Sequence, residues 1–416
     1  MALAYPRKTT LNINYKGTKL KSTINNYIES YSYTDVASGE SDSISVSMHN
    51  IDKKWINEYM PEKGDSISAN IVMENWKKEG DRKTLKCGSF TIDDISFSGR
   101  PLTGNIGAVS TPANEDFKAT KRTKTWQNTN IKEIASEIAR NAGISLYYEA
   151  ATIKISEVEQ DEADSSFLYS LCQKYGLALK VFNNKLVIFD ENVYEKKAKV
   201  ATISEKDIVG SWSYNTTLQG SYTGAKLSYT NPDNDKTITV EVGSKGRVYE
   251  FNAQADSRYD AELQATAKVN QANRKITTME MKIIANPAII ASSVIEVTDL
   301  GKISGKYYVD KVKHSISSSG YYMTLSLHKI QTRIATQSAE AVSEAISNSS
   351  RTYTVKPGDC FWAIARTYYG NSNIINNVNK IIDANIEVLD ADARKYGHPN
   401  SQNGYWLFPG TVLVIP

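Results

Sequence analysis

The stretch "GSFTIDDISFS" fills Gly88–Ser98, and "GKYYVDKVKHS" fills Gly305–Ser315. Both fit one pattern: Gly, any residue, aromatic, any, Ile or Val, Asp, any, Ile or Val, two of any kind, Ser. Phe90, Ile92, Asp93 and Ile95 correspond to Tyr307, Val309, Asp310 and Val312. Alternating strands resemble one another by chance, but the shared order of glycine, aromatic and aspartate favours a duplicated β-domain.

The regions around the two copies read the same way. Period-two alternation marks a half-buried strand. It appears as Leu11, Ile13, Tyr15, as Ile44, Val46, Met48 and as Ile67, Ala69, Ile71, and "GRPLTGNIG" reads as a turn-rich loop. It returns after residue 203 in "GAKLSY", "KTITVEV", "SVIEVTDL" and "YYMTLSLHKI", interrupted by one helix, "DSRYDAELQATAKVNQANRK". Between them the period becomes helical. Ile131, Ile134, Ala135 and Ile138 share a helix face, with Asn130 and Glu133 as a capping box and Gly143 as the C-terminal cap. Leu168, Leu171, Cys172 and Tyr175 mark a second helix ended by Gly176, and "LALKVFNNKLVIFD" reads as a hairpin turning at Asn183-Asn184. The expected fold is α+β and multidomain. Two similar β-barrel domains, 1–115 and 203–332, flank a small α/β domain, 116–202. A Ser- and Ala-rich linker, 333–350, leads to a terminal module, 351–416.

Composition narrows the class. A chain of 416 residues is too long for one core, and 40% apolar residues are too many for disorder. The 49 Lys and Arg nearly balance 46 Asp and Glu, which argues against a nucleic-acid coat or a strongly membrane-attracted surface. Three scattered cysteines, Cys87, Cys172 and Cys360, give neither a disulfide framework nor a zinc spacing, and no cofactor motif is present. The start, "MALAYPRKTTLNINYKG", lacks a signal-peptide core and no run reaches membrane-span length. Synthesis in a reducing cytoplasm is the expectation.

"TWQNTNIKEIASEIARNAGISLYY", "EQDEADSSFLYSLCQKYGLALKVFNNKLVIFD" and "SGKYYVDKVKHSISSSGYYMTLSLHKI" resemble the late control protein D family. These are the baseplate hubs of contractile tails, related to the base of type VI secretion spike proteins. The resemblance spans roughly residues 5–330. It implies two β-barrels per chain flanking an α/β domain, a homotrimer, and contacts with tail tube, spike and other baseplate proteins. Three chains with two similar barrels each would offer six near-equivalent docking surfaces above a threefold axis. No spike-like repetitive β-region is fused here, which implies a separate spike protein. The location implied is the tail baseplate of a phage or a phage-tail-like bacteriocin.

"YTVKPGDCFWAIARTYYG" and "YWLFPGTVLVIP" resemble the two ends of a LysM domain, a βααβ module that binds N-acetylglucosamine-containing glycans in many relatives. Pro357-Gly358 form the turn, Asp359 caps the first helix, and Phe361, Ile364, Ala365 and Tyr368 recur at helical spacing. Ile374, Ile375, Val378, Ile381 and Ile382 supply a second helical face. The resemblance implies a sugar groove between Asp359, Cys360 and Phe361 on one side and Tyr405, Trp406 and Leu407 on the other. Cys360 replaces a usual hydroxyl residue, and "IEVLDADARKYGHPNSQNGY" is a longer loop than usual. Peptidoglycan binding and protein docking both stay open.

No catalytic or metal motif is legible. A Cys360–His398 pair would suit a wall hydrolase, but a small residue at a helix start and a loop histidine explain them far better. Asp161, Glu162 and Asp164 read as acidic residues at a helix start rather than a glycosidase pair. His49, His314 and His328 read as structural or surface residues, Cys172 as core, and Trp55, Trp76, Trp126 and Trp212 as packing. The reading is a non-enzymatic hub, with a cell-wall attachment protein as the alternative and a wall hydrolase behind it.

Overall fold

The structure is a computed structural model. It describes residues 5–19, 26–76, 78–110, 116–230, 237–335, 351–356, 358–370, 374–402 and 406–415. The chain forms two compact units, Met1–Thr336 and Gln337–Pro416. Most of the expected linker lies outside the described residues.

The first unit opens with β1 (Lys8–Tyr15), β2 (Thr18–Lys19), β3 (Ile28–Val36), β4 (Ser43–His49), β5 (Ser66–Glu74), β6 (Arg82–Ser98) and β7 (Thr103–Val109). Ile44, Val46 and Met48 are buried on one face of β4, while serines alternate with them on the other. The middle holds α1 (Asp116–Ala119), β8 (Lys121–Asn130), α2 (Ile131–Asn141), β9 (Ser145–Glu149), β10 (Lys154–Ala163), α3 (Asp164–Lys174), β11 (Leu177–Phe182), β12 (Lys185–Asp190) and α4 (Glu191–Glu195). Then come β13 (Ala201–Ser204), β14 (Ile208–Thr216), β15 (Gly224–Thr230), β16 (Thr237–Gly243), β17 (Val248–Asn252), α5 (Arg258–Arg274), β18 (Thr277–Ile284), β19 (Val294–Thr298), β20 (Gly305–Ser317) and β21 (Gly320–Lys329).

The middle segment follows its local signals. Asn130 Oδ1 accepts from the Glu133 N–H at 2.9 Å, a cap worth about 1 kcal/mol. The Glu133 carboxylate takes the Thr129 hydroxyl, so the box is not reciprocal. Gly143 and Gly176 both have positive φ where the two helices end. Asn183 and Asn184 are both left-handed, as a type I′ turn between β11 and β12 requires. Cys172 packs in the α/β core with Ile131, Ile134, Leu168 and Ile188. The acidic run departs from expectation. Asp161 and Glu162 lie on strand β10, paired to Thr123 and Arg122 of β8, and only Asp164 opens the helix. Lys121 Nζ of β8 lies 2.9 Å from Asp161, while Arg122, opposite Glu162, reaches Asp164 at 3.1 Å.

The duplication holds strand by strand. Copy one runs β3-β4-β7-β6-β5-β1 across its sheet; copy two runs β14-β18-β21-β20, continued by β19 and β13. In chain order these are equivalent strands, with the β15–β17 and α5 insertion falling between β14 and β18. Pairing registers carry the match further. Ile95 faces Ile106 and Val312 faces Leu325. Val46 faces Ile106 and Met281 faces Leu325. Tyr31 faces Val46 and Trp212 faces Met281. Ile67 faces Phe90 and Ile295 faces Tyr307. The register slips at Asp93 in one copy and at Asp310 in the other. The aspartate shared by both quoted stretches is thus the extra residue of a β-bulge. One strand differs: β1 runs antiparallel to β5, β13 parallel to β19.

The expectation of two separate closed barrels is revised. The copies share one 13-stranded sheet, because the last half of β20 pairs with β3 from Lys311↔Val36 to Ser317↔Ser30. Among the described residues no pair closes either copy into a ring. The thirteen residues of β20 make this possible: its start pairs with β19, its end with β3. One hydrophobic cluster runs through both copies, from Ile13 and Tyr31 to Met323 and Leu325.

The second unit pairs β22 (Arg351–Thr354) antiparallel with β23 (Val412–Ile415) around α6 (Phe361–Tyr369) and α7 (Ile374–Lys395). Gly370 ends α6 with φ +73°. Helix α7 is longer than expected and takes in half of the stretch read as a loop. Leu389 and Ala393 continue its buried face, and no Pro or Gly interrupts it before Gly397.

Candidate functional site

Two places can carry contacts: strand edges of the first unit and the loop surface of the second. In the first unit, Asp94–Ser98 of β6 pair with β7 on one side only, since β5 pairs with residues 82–91. Strand β14 pairs only with β18. Among the described residues both edges leave main-chain donors and acceptors open. They are the equivalents of the β20 and β3 edges that are already joined.

Buried charges hold the α/β segment to both copies. Lys180 Nζ lies 2.8 Å from Asp35 and 3.2 Å from Asp42, and donates to the Val36 carbonyl at 2.7 Å. Burial pushes Asp42 up to about 6 against the pull of Lys180. Burial opposes the charge on Lys180 too, but the two carboxylates outweigh it and raise its pKa. On the other side Glu195 accepts from Arg274 Nε at 3.0 Å, Arg333 Nε at 2.7 Å and His328 Nε2 at 3.1 Å. His328 Nδ1 meets the bulge residue Asp310 at 2.8 Å. Burial would raise the Glu195 carboxyl, yet the His328 and Arg333 bonds and the Arg274 charge hold it far below the usual range. Burial works against charge on His328, but Asp310 and Glu195 outweigh it and raise its pKa. His314 is instead held down to about 4 by burial, bonded to the Tyr321 hydroxyl and stacked on Tyr33. These partners come from segments far apart in sequence, so no local signal could have found them.

In the second unit the candidate residues separate. Asp359 does not cap α6. It accepts from the Lys356 N–H at 2.7 Å and the Tyr353 hydroxyl at 2.6 Å, and these two bonds, the hydroxyl foremost, hold its carboxyl below the usual range. The capping position belongs to Cys360, which is exposed and makes no side-chain cap bond. Phe361 is buried in the core with Ile364 and Leu413, leaving Asp359 and Cys360 at that surface. Tyr405 lies outside the described residues. Leu407 packs on the core. Trp406 stacks on His398 at 4.0 Å, and Phe408 stacks on Tyr396 at 4.3 Å. His398 is thus engaged by an aromatic ring.

The architecture defines a class. Two solved tail proteins share it: the 43 kDa tail protein of prophage MuSo2 from Shewanella oneidensis and the tail protein from Neisseria meningitidis MC58. Their TM-scores are 0.57 and 0.59 at 12% and 11% identity, covering 76% and 77% of this chain and 97% and 96% of theirs. A type VI secretion component of E. coli follows, with TM-score 0.51, 10% identity, 78% of this chain and 79% of that one. At such identities the likeness is one of fold. The YQBQ-like family model matches residues 117–328, and the chain belongs to that family. The LysM model matches residues 353–392. Among curated relatives, a probable baseplate hub protein of Escherichia phage 186 is 26% identical over 174 residues, 40% of this chain and 41% of that protein. The protein YqbP of Bacillus subtilis strain 168 is 33% identical over 95 residues, 23% of this chain and 39% of its own. The chain therefore spans about two fifths of the length of these relatives.

Proposed function

We propose that this chain is the homotrimeric hub of a contractile-tail baseplate, joining a sixfold tail tube to a threefold spike without catalysis. The domain boundaries read from the sequence (115, 202, 332 and 350) are part of this proposal, as is closure of each β copy into a barrel within the assembly. One observation carries it. Copy two joins copy one through β20 and β3, and the equivalent edges, β6 of copy one and β14 of copy two, are left open. Repeating the joint between chains is a head-to-tail contact, and three chains would close it into a ring of six copies. The register follows by equivalence. Lys313↔Thr34 and Ser315↔Ser32 within the chain become Ser96↔Asn215 and Ser98↔Ser213 between chains.

The experiment is disulfide trapping across that seam. Ser98→Cys and Ser213→Cys in a Cys360→Ala background are oxidised, then sized by denaturing gels and light scattering. Facing strand residues fall within the Cα separation a disulfide spans. A covalent trimer is expected, and a Ser98→Cys with Thr239→Cys control should stay uncrosslinked. A monomer at tens of micromolar that forms no interchain bond overturns the reading.

For the second unit, we propose attachment to peptidoglycan through Asp359, Cys360, Phe361, Tyr405, Trp406 and Leu407. The LysM match supports this, and the Trp406–His398 stack offers an apolar wall for a sugar ring. Burial of Phe361 limits its part to shaping the surface. Removing residues 337–416 should abolish sedimentation with purified peptidoglycan and leave the trimer intact. Unchanged sedimentation would place peptidoglycan binding in the first unit, and a full chain that does not sediment would leave protein docking as the role of the second unit.

A further inference from the structure

The outward row of β18 reads Thr278, Glu280, Lys282 and then Ile284. Ile284 breaks a polar row and is 45% exposed. It lines a groove of about 350 Å³, walled also by Trp76, Ile203, Val209 and Ile283. Val209 falls where β14 loses register with β18, between Ile208 and Trp212, and Gly210 beside it takes φ +77°. Trp76 comes from copy one. Its Nε1–H donates to the Ala285 carbonyl at 2.5 Å and its ring packs on Tyr321 at 5.7 Å, which fixes that wall. Two cations, Arg7 and Lys206, line the same groove. Asn75 Nδ2 donates to the Pro6 carbonyl at 3.3 Å, and the Arg7 guanidinium lies 5.4 Å from the centre of the Trp76 ring. Both cationic side chains are exposed, and among the described residues neither has a carboxylate within ion-pair distance. The acid in the lining is Asp207, whose Oδ2 already accepts from the Ser204 N–H at 2.9 Å and the Ser204 hydroxyl at 2.6 Å. Exposed apolar walls beside two uncommitted cations complement a segment that offers an apolar side chain and a carboxylate together.

We propose that this groove docks an extended segment of another protein in which an acidic residue is flanked by branched or aromatic ones. The apolar side chain lies against Trp76, Val209 and Ile284, and the carboxylate meets Arg7 and Lys206. The site does not depend on the hub reading.

The test titrates the full chain with end-blocked Leu-Glu-Leu-Glu and its Gln and Lys counterparts, read by saturation-transfer NMR. The glutamate peptide should bind, and the glutamine peptide should bind at least about fivefold more weakly, the size of one good exposed ion pair. Arg7→Gln and Lys206→Gln should each weaken the glutamate peptide by up to about fivefold and leave the glutamine peptide unchanged. Arg7→Gln combined with Lys206→Glu should invert the order and favour the lysine peptide. Ile284→Ser should weaken the glutamate and glutamine peptides alike. All three replaced side chains are exposed, so the variants keep the fold. Equal binding of the glutamate and glutamine peptides, a preference that survives loss of both cations, or no binding of the glutamate peptide up to its solubility limit overturns the proposal.

Discussion

Lys180 offers the sharpest test of how the first unit is held together. Changing it to Met keeps the stem and removes the charge facing Asp35 and Asp42. Lys180 and Asp35 side chains are 11% and 10% exposed and Asp42 is fully buried, so solvent screens the triad little. Removing one partner of a buried pair costs about 3–5 kcal/mol. At roughly 2–4 °C per kcal/mol, the first unit should melt on the order of 10 °C lower at pH 7.5. The pH dependence is the signature. Asp42 has a folded pKa raised to about 6 from 3.8, so its stabilising contribution is present at low pH and lost as pH rises through 6. Without Lys180 that pKa rises further, and protonation relieves more of the damage. The loss at pH 5 should therefore be smaller than at pH 7.5, by about 1.4 kcal/mol for every tenfold rise in the proton affinity of Asp42. Adding Asp42→Asn to Lys180→Met should recover part of the pH 7.5 loss. Calorimetry of the full chain, with a chain lacking 337–416 to assign the transition, reads all of this. A drop under 2 °C, or equal drops at the two pH values, would refute the account.

Three further expectations follow from single sites. Glu195→Gln should cost about 3–5 kcal/mol near pH 6, read as a melting shift. Its pH window has two sides: the Glu195 contribution is lost as pH falls below its usual 4.5, and that of His328 as pH rises through its raised value above 6.5, so the variant's penalty should shrink in acid. Asn183→Val should destabilise the β11–β12 hairpin by about 1–2 kcal/mol because a branched residue resists positive φ, whereas Asn184→Gly should be neutral in the same melt. Asn385 is buried and bonds both the N–H and the carbonyl of Val414 at 2.7 Å, so Asn385→Ala should cost the LysM unit about 2–4 kcal/mol, measured by proteolysis of the second unit.

Much of the fold was legible because it rests on local chemistry. The alternation of Ile44, Val46 and Met48, the Asn183-Asn184 turn and the glycines that end α2, α3 and α6 need no distant partner. The shared Gly–aromatic–Asp pattern identified the duplication because the bulge residues Asp93 and Asp310 occupy the same place in both copies. Three features escaped. Strand edges pair through the main chain, so nothing in the side chains of β3 or β20 announced that the copies share a sheet. Asp161 and Glu162 read as a helix start, because the β8 strand they pair with lies some forty residues earlier. The length of α7 was in the sequence, as residues 386–395 lack any breaker, but the expectation of a loop overrode it. Of the candidate site, Trp406 and Cys360 lie at the surface, while the burial of Phe361 follows from the helical spacing that places it with Ile364.

The joint between β20 and β3 also sets a timetable for biosynthesis. Strand β3 leaves the ribosome early, and its partner is among the last strands of the unit to be made. At roughly 5–20 residues per second, the β3 edge waits some tens of seconds for β20. Its side chains away from the core, Ser30, Ser32 and Thr34, are small and polar, a composition poorly suited to sticking to neighbouring nascent chains. A chain stalled or cut before residue 305 would leave that edge permanently unpaired, so incomplete products should be clients of chaperones or of proteolysis rather than entrants into assembly.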